Sequence, residues 1–186
     1  MTGIVLAPGY SRMPQKNILR LLEAGDRRTV GRSDQVAAMV SKDPRLFPQL
    51  IAGMWSHNPL VRMRAADAAE KVTRANPRLL KPHKKELLGL MVEAGEQELR
   101  WHLAAMIPRL SLTTNERQLV ASTLNSYLED QSSIVKTLAL QGLADLAQGD
   151  PELLPRVVKV LREATRTGTP AMKARSRRLL SKMESL

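Results

Sequence analysis

Apolar residues recur along this chain with the period of an α-helix. Val61, Ala65, Ala68, Ala69 and Val72 fall at i, i+4, i+7, i+8 and i+11, which places them on one helical face. The spacing returns in Leu99, Leu103, Met106, Ile107 and Leu110, in Val135, Ala139, Gly142, Leu143 and Leu146, and in Met172, Ser176, Leu179, Leu180 and Met183, at offsets of 38, 36 and 37 residues. A weaker copy, Thr29, Ser33, Val36, Ala37 and Val40, precedes the first by 32 residues. A face that returns at so regular an interval marks a repeat architecture.

A second signal lies between these faces. Asp43-Pro44-Arg45-Leu46-Phe47-Pro48 is echoed by Asn76-Pro77-Arg78-Leu79-Leu80 and by Asp150-Pro151-Glu152-Leu153-Leu154-Pro155. Asp or Asn can accept from the free amides of a first helical turn, and Pro at the first helical position loses no hydrogen bond there. Thr113, Thr114 and Asn115 supply the capping at the equivalent place in the middle of the chain. The two signals together predict five helix pairs, 14–24 with 26–41, 44–56 with 59–74, 77–94 with 96–110, 113–129 with 132–148, and 151–167 with 169–185. Pro108 should kink or end its helix. Residues 14–186 read as a single domain and 1–13 as an irregular N-terminal segment.

Asn58-Pro59-Leu60-Val61-Arg62 followed by Ala65-Ala66 resembles the opening of the second helix in HEAT repeats: a turn residue, Pro, a Val-Arg dipeptide and paired alanines. Leu99-Arg100, Val135-Lys136 and Met172-Lys173 repeat its centre more loosely. The resemblance covers roughly residues 14–185 and implies an all-α chain, an α-α superhelix or solenoid of about five HEAT-like helix pairs. In such a chain each pair buries its apolar face only by stacking on its neighbours. The resemblance also implies that the second helices line a concave side.

Arg62, Arg100, Lys136 and Lys173 occupy one repeat position, and helices packed about 10 Å apart would align them as a column of cations. Such a column could track phosphates or steer an acidic partner. In the HEAT family a basic residue here commonly bonds within or between repeats, so a structural role stands beside the binding one. Arg64 with Asp67 and Glu70 with Arg74 have spacings that allow pairing within a helix. Trp101, between Arg100 and His102, lies off the core template and is either partly buried against an adjacent repeat or a binding anchor. Trp55 is in register with Ile51 and should pack in the core.

Charge sharpens this picture. The chain carries 29 basic and 18 acidic residues, a net +11, with the excess at both ends and a net negative stretch over 113–150. Arg27 and Arg28 at one end, and Arg175, Arg177, Arg178 and Lys182 at the other, are candidate anion-binding residues, with a solvated end-cap as the plainer reading. Lys81, His83, Lys84 and Lys85 form a further basic run near a helix start, where the dipole does not favour cations. The partners expected are another protein, which the basic excess would suit to an acidic surface, or nucleic acid.

Catalytic and metal chemistry find little support. There is no cysteine, and His57, His83 and His102 lack the one-turn spacing of a zinc site, so no metal is expected. The glycines stand singly, without a phosphate-cradling loop, and no cofactor is expected. The HEAT-like bacterial alkylpurine DNA glycosylases are similar in fold and charge, but here Trp101 has no matching carboxylate. No apolar run approaches the length of a membrane span, no secretory signal opens the chain, and a reducing cytoplasm is the expected compartment. The expectation is a non-enzymatic protein-protein interaction module or scaffold with a basic surface, with a nucleic-acid-binding protein as the alternative.

Overall fold

The computed structural model describes residues 17–23 and 31–184. Ten α-helices follow in order: α1 (Leu19–Glu23), α2 (Ser33–Lys42), α3 (Phe47–Gly53), α4 (Pro59–Ala75), α5 (Lys84–Glu93), α6 (Gln97–Met106), α7 (Thr114–Tyr127), α8 (Ser133–Ala147), α9 (Leu154–Thr167) and α10 (Pro170–Glu184). Among the described residues there is no strand. The all-α expectation therefore holds, and α2 to α10 fall in the expected order of alternating first and second helices.

The helix starts show which local rule wins. Asn58 accepts from the Leu60 amide at 3.0 Å with Pro59 opening α4. Thr113 and Glu116 form a reciprocal capping box on α7. In the first pair α1 begins at Leu19 and α2 at Ser33 after a turn over 31–32, both later than expected, and the expected starts at 14 and 26 lie outside the described residues. Three later first helices also depart from expectation. Pro44 and Pro77 open 3-10 turns, Asn76 makes no side-chain cap, and residues 151–153 form a turn. In each case the α-helix waits for a second proline: α3 starts at Phe47-Pro48, α5 just after Pro82, and α9 at Leu154-Pro155. A proline has no amide to give to the ladder, so it fits in the first turn and not further along. Pro108 acts as expected, for α6 ends at Met106 and a 3-10 turn spans Ile107–Arg109.

The second helices pack directly on one another in succession, α2 on α4, α4 on α6, α6 on α8 and α8 on α10. The template residues described on α4 to α8 are buried, and Gly142 allows α8 to approach α6 closely, because a β-carbon there would stand 2.8 Å from the Ala104 carbonyl oxygen. α4 is the most enclosed helix. Its Arg64 is fully buried and donates to the Leu22 carbonyl at 2.8 Å, with Gly31 (φ 55°) against its guanidinium. Arg64 therefore ties α4 back to α1, and the expected Arg64–Asp67 pair is replaced by Asp67–Lys71 at 2.6 Å.

The first helices form a looser row. α5 and α7 touch, and the Tyr127 hydroxyl donates to the Met91 carbonyl at 2.5 Å while Lys84 reaches Glu116 at 2.7 Å. α7 and α9 are not packed closely in this way.

Candidate partner-binding surface

The cation column divides into two kinds of residue. Arg62 forms a bidentate pair with Glu96 of the next helix pair and donates to the Ser56 carbonyl at 2.6 Å. Arg100 reaches Asp130 of the next pair at 2.6 Å and the Ala94 carbonyl at 2.7 Å, and its guanidinium lies 5.7 Å from the Tyr127 ring centre. Both side chains staple their own turn to the following one and are spent on the fold. Burial pushes the Asp130 carboxyl upward, but the Ser132 amide and Arg100 overcome it and hold the group below the usual range. The Lys136 and Lys173 side chains are half-buried and make no hydrogen bond or close ion pair among the described residues, although Lys136 is near enough to Asp130 to help hold its carboxyl low. The turn that follows Lys136 offers Gly168 and Thr169 where its predecessors offer Glu96 and Asp130.

Trp101 is partly buried, packed on the core, and meets His102 edge-on at 5.6 Å. Trp55 corrects its expectation: it is 46% exposed, because α3 has already ended at Gly53 and the turn carries the indole out of register with Ile51.

On the second-helix face the expected Glu70–Arg74 pair forms at 2.6 Å, within a wider polar network that the spacing along one helix does not predict. Ser33, Asp34, Asp67 and Lys71 join α2 to α4, while Glu70 receives Arg74 of its own helix and Arg109 of the 3-10 turn that follows α6. Burial works against the Glu70 charge, yet the two guanidiniums hold its carboxyl below the usual range. His102 lies beside this group, and burial lowers its imidazole to about 4 despite the nearby Asp67 and Glu70. Every polar partner here lies on the same or a neighbouring element, so the network joins elements rather than presenting a reactive group. Among the described residues no cluster of His, Asp and Glu could hold a metal ion, and no helix is long and apolar enough to cross a membrane.

At the ends, Arg27 and Arg28 lie outside the described residues. Arg175 is held by Gln141 at 2.8 Å. Arg177, Arg178 and Lys182 are exposed, and their side chains make no hydrogen bond or close ion pair among the described residues. In the basic run, Lys84 is committed to Glu116.

A groove of about 1200 Å³ opens between α7 and α9, floored by α8. Ala121, Leu140, Val157, Val160 and Ala164 make its apolar surface, and Lys136, Arg156 and Lys159 stand on its rim with Glu129, Glu152 and Glu163. Arg117 and Asp150 pair at 3.6 Å at one end. The groove has a cause in the repeat. Val120, Leu124 and Tyr127 of α7 recur as Val157, Leu161 and Ala164 of α9, each 37 residues on. Tyr127 fills the space toward α5 and bonds Met91; Ala164 leaves the matching space toward α7 unfilled, with Leu128 lining it where Met91 would be. The shift from Tyr127 to Ala164 was present in the sequence as the one signal that could have located the groove.

No protein-family model, no curated protein and no solved structure matches the chain. Its functional reading accordingly rests on its own residues.

Proposed function

We propose that the chain is an α-solenoid of HEAT-like pairs acting as a non-enzymatic interaction module, and that it holds a helical segment of a partner protein between α7 and α9. The observation behind this reading is the groove that Ala164 leaves open. At about 1200 Å³ it exceeds the usual range of small-molecule sites, roughly 300–1,000 Å³. An apolar floor with a charged rim suits the apolar stripe of an amphipathic helix, whose anchors repeat at i, i+3, i+4 and i+7. Lys136, which lies near Asp130 but leaves its hydrogen bond to Arg100, would meet an acidic residue of the partner.

Ala164→Tyr tests this directly. The new ring should lie toward α7 as Tyr127 lies toward α5, with its hydroxyl near the Leu128 carbonyl, and close the groove without unfolding the chain. Peptides selected on the wild-type protein from a displayed library should lose at least about tenfold in affinity for the variant, a change of about 1.4 kcal/mol. Peptides that bind both proteins equally, with the variant folded by circular dichroism, would place recognition elsewhere and end this reading.

A further inference from the structure

In the first four helix pairs, many cations are neutralised within the fold: Arg62 by Glu96, Lys71 by Asp34 and Asp67, Arg74 and Arg109 by Glu70, Lys84 by Glu116, and Arg100 by Asp130. The fifth pair is different. Arg156, Lys159, Arg162, Arg177, Arg178 and Lys182 are all exposed, and none of their side chains makes a hydrogen bond or a close ion pair among the described residues. The acids near them are Glu152, Glu163 and Asp145, whose carboxyl is raised by burial and drawn partly back down by the nearby Lys182 and Arg175, and Glu163 faces Arg166 at 3.5 Å. We infer that the exposed surface of α9 and α10 is a binding surface for the phosphate backbone of a nucleic-acid duplex.

Three features favour that ligand. Ala171, Ala174 and Ser181 are the exposed residues between the cations of α10, so the surface is low and a phosphate backbone can approach the guanidiniums closely. α9 and α10 contain no aromatic residue, so nothing offers a platform for unstacked bases, which favours a duplex over a single strand. Protein interfaces draw their affinity from buried aromatic and apolar anchors, whereas Leu154 alone among the residues of these two helices is a large, exposed apolar side chain. The larger apolar residues of α9 and α10 other than Leu154 and the part-buried Val158 face the core or line the groove, leaving no broad apolar face to enter a membrane. Cations without anchors suit a ligand whose affinity comes from counterion release and carries no sequence readout.

The test is fluorescence anisotropy of the full chain with a short labelled DNA duplex and its RNA counterpart, titrated between about 50 and about 300 mM NaCl. If Arg162, Arg177, Arg178 and Lys182 each neutralise one phosphate, log K falls against log salt with a slope of about −3.6. Arg177→Glu with Arg178→Glu should weaken binding at least about tenfold and reduce the slope to about −1.8 or less. Arg78→Glu with Lys81→Glu makes the same charge change at exposed positions on another helix pair and should leave both values unchanged. Ala164→Tyr should also leave duplex binding intact, so the groove and the cationic surface stand or fall separately. The inference is overturned by absence of salt-sensitive duplex binding, by equal losses in the two double variants, or by stronger binding to polyglutamate or to phosphatidylserine vesicles than to either duplex.

Discussion

His102 shows how one residue records the packing around it. It projects from α6 toward α4, among Asp67, Glu70, Lys71 and Arg74, and burial outweighs the two carboxylates and lowers its imidazole to about 4. Since the folded value lies below the unfolded 6.5, the unfolded chain binds the extra proton first as the pH falls. Stability linked to His102 is thus complete above pH 6.5 and is lost progressively toward pH 4, amounting to about 2 kcal/mol by pH 5. Glu70 and Asp130, whose carboxyls are held low, lose their contributions at lower pH still, and Asp145, raised by burial, works in the opposite sense. Urea unfolding at pH 7.5 and pH 5 should show this loss in the wild type and its absence in His102→Asn. An equal pH response in the two proteins would assign the acid sensitivity to the carboxylates instead. Arg62 and Arg100 carry a related lesson: their common position was legible in the repeat, but their partners were not. Glu96 and Asp130 lie 34 and 30 residues further on, a spacing the template does not share.

At the scale of the helix, Gly142 sets local propensity against packing. Replacing it with Ala in the middle of α8 gains up to about 1 kcal/mol of helix propensity. The new β-carbon, however, would lie 2.8 Å from the Ala104 carbonyl oxygen of α6, and backbone cannot give way as a flexible side chain can. Overpacking of this kind costs about 1–3 kcal/mol, so Gly142→Ala should be destabilising on balance by about 1 kcal/mol, measured as a lower urea midpoint with an unchanged m-value. A rise in midpoint would mean that α6 and α8 slide apart easily. The same balance explains what was legible of the elements. Second helices α4 and α8 were placed within a residue or two because their apolar stripe and caps agree. The first helices began late because two prolines compete for one first turn, and the second of them wins. Trp55 was misplaced for the same reason, since a helix read as reaching 56 ends at Gly53.

Across the whole molecule, strong packing is confined to helices of the same or adjacent pairs, so stability need not be uniform along the chain. The fifth pair is attached through α8, to α9 and α10 alike, while the groove interrupts the row of first helices beside it. Its six exposed cations, none held by a side-chain hydrogen bond, also repel one another, with few acids nearby to offset them. Hydrogen exchange followed by mass spectrometry should therefore find α9 and α10 opening together, and faster than α4, α6 and α8. Salt supplies the discriminating condition. Screening weakens repulsion among exposed charges, with a Debye length shrinking from about 10 Å at 0.1 M to about 3 Å at 1 M, so added NaCl should slow exchange in the fifth pair. The second to fourth pairs, whose charges are largely matched, should gain nothing from the same salt. Ala164→Tyr should slow exchange in α9 at either ionic strength, since it acts by filling the groove and not through charge. If salt instead accelerates exchange in α9 and α10, attractive ion pairs must dominate there, and a surface already neutralised by its own carboxylates would have little left to offer a phosphate backbone.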